Sequence, residues 1–298
     1  MVHRAVLTKE VIALLDPCRA PHQTVQGRGG ILVDATVGSG GHSEALLDHV
    51  QRSCPDTTFQ LIAIDRDKTL LTKAKQRLSQ LGAVELHYKN FADLKEILSG
   101  RQIDGLLADL GFSSEQVDDP ARGFSFRQAG PLDMRYDQSQ ELTAAEIINH
   151  WHQAKLRAVI ERYSGERYAD RIAHAIVRRR PLYTTTQLAE VIAKAVPTAK
   201  KTIHPATRTF QALRIVVNHE LESLEQLLDT IPTVAKPASR IVIITFHSLE
   251  ERLVRDAFKT WRKDGKGEII TKKPLPPTQE EIRANPRSRS AHLWAFKF

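Results

Sequence analysis

The sequence predicts an α/β fold, a Rossmann-like, largely parallel sheet interrupted by an inserted all-helical domain. Two observations carry this. Short apolar runs at 31–34, 61–65, 84–88 and 105–110 alternate with helical periodicities at 43–51, 67–81 and 91–99. The alternation then stops, a glycine- and proline-bearing stretch runs from Gly111 to Asp137, and a purely helical block follows before strands resume. In that block Thr143 and Glu146 read as a capping box for a helix carrying Ile147, Ile148, Leu156, Val159, Ile160 and Tyr163, broken once near Trp151. A second helix, around Arg167 to Arg180, is stopped by Pro181, and a third, from near Thr186, by Pro197. One long amphipathic helix then carries Phe210, Leu213, Val217, Leu221, Leu224 and Leu228 as far as Pro232, and is expected to pack on the sheet. Arg240 to Phe246 reads as a buried fifth strand. Glu268–Thr271 and His292–Phe298 read as a closing hairpin, joined by a basic surface loop rich in proline and arginine. These readings place one discontinuous domain at 1–112 and 205–298, split by a helical insertion at 113–204.

Composition bounds the function classes. With 298 residues, 41% apolar and 26% charged, the chain can bury a sizeable core. No uninterrupted apolar stretch approaches the roughly 18 residues of a membrane span, and the first residues carry no cleavage-site pattern, so a cytoplasmic location with no membrane partner is expected. Cys18 and Cys54 form no CxxC pair, which predicts reduced, incidental thiols with neither a disulfide nor a metal site. The net charge of +8 is unevenly placed: Trp151 to Arg214 holds thirteen Lys and Arg against four Asp and Glu. A run such as Arg178-Arg179-Arg180 can simply suit a helix end, but the whole excess points to a polyanion, RNA or DNA, as substrate.

The most telling string is DATVGSGGHS, Asp34 to Ser43, placed between the apolar run Ile31-Leu32-Val33 and the helical EALLDHV. Its glycines allow close backbone approach, and the following helix start offers free N–H groups. The second strand ends in Asp65, about 25 residues on, where a carboxylate reaches a ribose diol. Dinucleotide binding favours GxGxxG, whereas this chain reads GSGGH with an additional acid, Asp34, before the turn. Acids ending the first, second and fourth strands around such a turn resemble the class I S-adenosylmethionine-dependent methyltransferases, whose cofactor carries no phosphate.

Further strings add to this: AIDRD at 63–67, DLGFSSEQVDDPARGFSF at 109–126, GPLDMRYD at 130–137, HPATRTFQALRI at 204–215, TFHSLEER at 245–252 and NPRSRSA at 285–291. In order and over essentially the whole chain they resemble the bacterial 16S ribosomal RNA cytosine-N4 methyltransferase family, RsmH, also called MraW. The resemblance implies transfer of a methyl group from S-adenosyl-L-methionine to the 4-amino group of a cytidine in the decoding centre of the small ribosomal subunit, with 16S rRNA or that subunit as partner. It implies cofactor contacts at Gly40, Gly41, His42, Asp65, Phe91, Asp109 and Gln116. His42 could equally be a cap or packing residue, and Phe91 a core residue. Asp109 is the candidate catalytic group, an acceptor for the amino protons as the nitrogen becomes cationic. Here it is followed by LGFSS rather than two prolines and an aromatic residue, which leaves open a role on the base, on the cofactor or in shaping the loop. Neither cysteine suits nucleophilic attack on a ring carbon. Arg208, His247 and Ser248 are substrate-side candidates, with helix anchoring for Arg208 and an N-cap for Ser248 as alternatives. An amino-methyltransferase acting on DNA or protein, or a non-catalytic RNA-binding factor, would share the fold.

Overall fold

A computed structural model describes residues 5–15, 18, 30–55, 59–197 and 204–298. It divides into two compact units, Met1–Gly111 with Leu221–Phe298, and Phe112–Glu220.

The first unit is built on α1 (Thr8–Leu15), β1 (Gly30–Asp34), α2 (Gly41–Ser53), β2 (Phe59–Asp65), α3 (Lys68–Leu78), β3 (Ala83–Tyr88), α4 (Leu94–Leu98) and β4 (Ile103–Asp109). Its seven strands are ordered β3-β2-β1-β4-β5-β7-β6, counting β5 (Ala235–Thr245), β6 (Glu268–Ile269) and β7 (His292–Lys297). Strands β1 to β5 are parallel, and β7 runs antiparallel to both β5 and β6. Both faces are covered, and the pleat sorts the side chains. Val33, Ile62, Ile64, Leu106, Ala108, Ile241 and Ile243 enter one core. Their neighbours Leu32, Leu61 and Ala63 enter a second, and Leu107, Val242 and Ile244 a third. The chain order reverses between β1 and β4, so their carboxyl ends form the crevice where such sheets bind ligands.

Cys18 and Cys54 correct the expectation of separate thiols: they form a disulfide, with Cα atoms 5.7 Å apart. Cys18 follows α1 and Cys54 caps α2, and these helices pack together, so a separation of 36 residues in sequence closes in space. A non-reduced digest should therefore yield the two peptides linked, and Cys54→Ser should lower the thermal midpoint by a few degrees under non-reducing conditions. An unlinked digest of oxidised protein would refute the pairing.

The second unit holds α5 (Ser114–Asp118), α6 (Ala144–His150), α7 (Gln153–Ser164), α8 (Ala169–Arg179), α9 (Thr185–Ala195) and α10 (Ala206–Asn218). Its core joins Ile147, Ile160, Ile172, Ile176, Leu188 and Ile192 to Phe210, Leu213 and Val217. The break expected near Trp151 is present. Thr143 accepts from the Glu146 amide at 3.1 Å, the half of the capping box that is made. The long helix of the sequence reading is two. His219 adopts a left-handed conformation (φ 50°) and ends α10, and α11 (Glu220–Val234) begins anew. Only the second half packs on the sheet, through Leu224, Leu227, Leu228 and Ile231. The helical unit accordingly closes at Glu220 rather than 204, the sequence boundary abutting residues 198–203, which lie outside the described set with Lys200 and Lys201.

The glycine-bearing stretch is held by its own motifs. Arg122 donates to the Arg135 and Tyr136 carbonyls, and Asn218 accepts from the Tyr136 amide (2.7 Å) while donating to the Met134 carbonyl (2.7 Å). Tyr136 and Arg214 both engage Glu220. Gly123, at φ 71°, leaves no space for a side chain: a Cβ would lie 2.2 Å from the Pro131 carbonyl oxygen. After β5 come α12 (Ser248–Lys263) and α13 (Gln279–Ala284), the latter inside the segment expected to be a plain loop.

Candidate active site

Three carboxylates stand at the carboxyl tips of adjacent parallel strands: Asp34 on β1, Asp65 on β2 and Asp109 on β4. The glycine turn is stitched to the tips beside it, Ala35 N–H donating to the Leu107 carbonyl (2.8 Å) and Val37 N–H to the Ile64 carbonyl (2.9 Å). Gly40 begins α2 at φ 89°, and its added Cβ would lie 3.4 Å from the Ala74 Cα on α3. The turn thus needs glycine there for its backbone angle, while a Cβ would meet that Cα only at ordinary contact distance. Among the described residues no side chain caps α2, which leaves its first N–H groups open to a ligand.

Asp65 accepts from Gly38 N–H (2.8 Å) and Asp67 N–H (2.7 Å), one on each oxygen. Each oxygen keeps a second lone pair, and the carboxylate is fixed against the turn. Burial pushes it up to about 6, and the two amides act to lower it. Phe91 follows β3 at the start of a single 3₁₀ turn, partly buried against the first core. The packing alternative is thus met there.

His42 is buried, its Nε2 2.7 Å from the Val6 carbonyl oxygen. A carbonyl only accepts, so Nε2 carries the hydrogen and Nδ1 faces Asp109 Oδ2 at 3.7 Å. The ring ties the segment before α1 to the turn and sets one side of Asp109. Asp109 N–H donates to Thr36 Oγ1 at 2.6 Å, while Asp109 Oδ1 is buried with no hydrogen-bond partner among the described residues. Burial pushes Asp109 up to about 6; His42 opposes this, and Asp34 and Glu250 add to it. Asp34 is also raised, first by burial, although Ser43 Oγ–H donates to it at 2.6 Å. Crowded, desolvated carboxylates with an open acceptor oxygen suit a cationic ligand bearing N–H or O–H donors.

Gln116 lies in the other unit, on α5, where its Oε1 accepts from Ser113 N–H (2.9 Å) and its own N–H donates to Ser113 Oγ (3.1 Å). It closes a capping box there. Arg208 pairs with the buried Glu166 at 3.7 Å, which is the anchoring role. The N-cap of α12 is His247 rather than Ser248, in a reciprocal box with Glu250, whose Oε2 also accepts from Phe246 N–H (2.8 Å). Thr36, Ser43 and Glu250 were not singled out from sequence, although SxxQ at Ser113 and Gln116 is a readable box.

The family model for the MraW methylase family matches residues 1–298. The chain belongs to that family. It is therefore a methyltransferase, and S-adenosylmethionine is its methyl donor. Among the chain's relatives, a protein of Koribacter versatilis is 43% identical over 98% of the chain and 93% of its own length. Others from a Cyanothece species (48%, 89% and 87%) and a Synechococcus species (47%, 98% and 90%) stand equally near, and all three are called ribosomal RNA small subunit methyltransferase H. The residues present fit the donor: Gly40 and Gly41 open the turn amides, Asp65 offers two fixed acceptor oxygens, and the partnerless Asp109 Oδ1 sits among charges that a cation would relieve. Among the described residues no helix is long and apolar enough to cross a membrane.

Proposed function

We propose that this chain methylates the N4 exocyclic amine of a cytidine in the decoding centre of 16S rRNA, acting in the cytoplasm on that RNA or on the small subunit that contains it. The observation that carries the reading is Asp109 Oδ1, a buried acceptor without a donor at the tip of β4. The relatives' shared name supports ribosomal RNA as the polymer. The bound donor supplies a methyl carbon already made electrophilic by its sulfonium. The turn amides at Gly40 and Gly41 hold its amino-acid tail, Asp65 accepts from its ribose hydroxyls, and Phe91 offers a face to adenine. His42 steadies Asp109. Asp109 Oδ1 accepts a hydrogen bond from the cytidine amino group, which concentrates the nitrogen lone pair. The nitrogen that receives the methyl group would become cationic, and Asp109, whose affinity for protons is raised by burial, would take up its surplus proton. Alignment in a desolvated pocket does the rest. The helical unit, with the basic excess, serves as the RNA-recognition domain, the nucleotide being turned out of its stack to reach the crevice.

The test is mass spectrometry of nucleosides from small-subunit RNA of cells with and without the gene. N4-methylated cytidine should disappear with the gene and return with the wild-type chain but not with Asp109→Asn. An unchanged level overturns the reading, and label transferred to DNA or protein instead would assign the same site to a different polymer.

A further inference from the structure

The basic run Arg178-Arg179-Arg180 does not act as a unit. Arg180 turns inward, its Nε donating to the Ile148 carbonyl (2.6 Å) and its Nη2 to the Trp151 carbonyl (2.5 Å), so it closes the C-terminal end of α6. Burial lowers its affinity for the proton. Arg178 and Arg179 stay exposed in the last turn of α8, and so does Lys194 in the last turn of α9. None of the three pairs with a carboxylate among the described residues. Elsewhere in the same unit Arg135 is held by Asp133, Arg157 by Glu161 and Arg214 by Glu220.

These three cations line one groove of about 740 Å³ between α8 and α9, with Glu190 as its single carboxylate. Leu182 and Pro181 also line it, and the next residue, Tyr183, is 67% exposed. The Tyr183 backbone is fixed, its N–H donating to Gln187 Oε1 at 2.9 Å. An aromatic ring held in water on a pinned backbone contributes nothing to a core. Tyr183 follows Leu182, which lines the cationic groove, and the pair of features is what a single strand requires: charge for phosphates and an exposed aromatic ring for an unstacked base. A duplex would offer the phosphates but no base face.

We propose that the α8/α9 groove seats a single-stranded segment of the RNA substrate, with Arg178, Arg179 and Lys194 on its phosphates and Tyr183 under one of its bases. This rests on RNA being the substrate and adds where and in what form it is gripped.

The experiment is titration of the full chain with a labelled single-stranded RNA oligomer, and with the same sequence annealed to its complement, over a range of salt. Each phosphate contact on a single strand contributes about 0.7 to the slope of log K against log salt, so replacing Arg178, Arg179 and Lys194 together by alanine should flatten the slope by about 2 and weaken binding at least about tenfold at low salt. Tyr183→Ala should cost about tenfold or more with the slope unchanged. S-adenosylmethionine affinity and circular dichroism should match wild type in both. Arg180→Ala should lower thermal stability and leave the slope alone. A wild-type slope in the triple variant, undiminished binding by Tyr183→Ala, or equal preference for the annealed RNA overturns the proposal even if the wild-type chain methylates RNA. Wild-type chain that modifies no RNA nucleoside fails the substrate reading instead, and the two failures are read from different measurements.

Discussion

Asp109→Asn is expected to slow methyl transfer by about 100- to 1,000-fold while making the ligand-free protein more stable at pH 8. The loss follows from replacing half of the open carboxylate by an amide that donates where the reaction needs an acceptor. The gain follows from linkage. In the folded protein Asp109 sits near 6, above its ordinary 3.8, so between these values the native state keeps a proton that the unfolded chain has released. That contribution is fully present below about pH 4 and is lost as the pH rises through about 6. Asparagine has no proton to lose, so the variant's advantage, about 1–3 kcal/mol, should be seen at pH 8 and vanish near pH 4. Single-turnover transfer rates and thermal midpoints at the two pH values measure both halves. Equal rates, or a variant no more stable at pH 8, would remove Asp109 from the role given to it.

Asp65→Ala should weaken S-adenosylmethionine binding by about 100-fold, since two hydrogen bonds to a charged acceptor disappear and the Gly38 and Asp67 amides lose theirs. The wild-type affinity should itself rise with pH through about 6 and level off above, because the ionised carboxylate is the form that accepts both hydroxyls and favours a cation nearby. Titration calorimetry reads the affinity, and buffers of different ionisation enthalpy read the proton released near pH 6. An affinity that is flat between pH 5 and 8 would place the ribose elsewhere.

The strand tips were legible because apolar runs that end abruptly in Asp34, Asp65 and Asp109 mark both a buried strand and the point where it meets water. The helical unit was legible for the same kind of reason, through Thr143, Pro181 and Pro197. His219 was not. The three-and-four spacing of apolar residues runs straight across it from Val217 to Leu221, and a left-handed break is announced by glycine or asparagine far more often than by histidine. His247 escaped as an N-cap because its imidazole does the work usually given to the hydroxyl or carboxylate of a short side chain. The Cys18–Cys54 link depends on how α1 lies against α2, which no local pattern encodes. At the site, residue types revealed the acids, whereas the role of Thr36 as acceptor for Asp109 N–H exists only once β1 and β4 are side by side.

The kink at His219 bears on anyone who would express or graft the helical unit by itself. A gene fragment ending at residue 204 would omit α10 and leave a trough where Phe210, Leu213 and Val217 belong, while the remaining host would carry those three greasy side chains into water. Scissors should fall after Glu220, where the chain changes allegiance from one hydrophobic interior to the other.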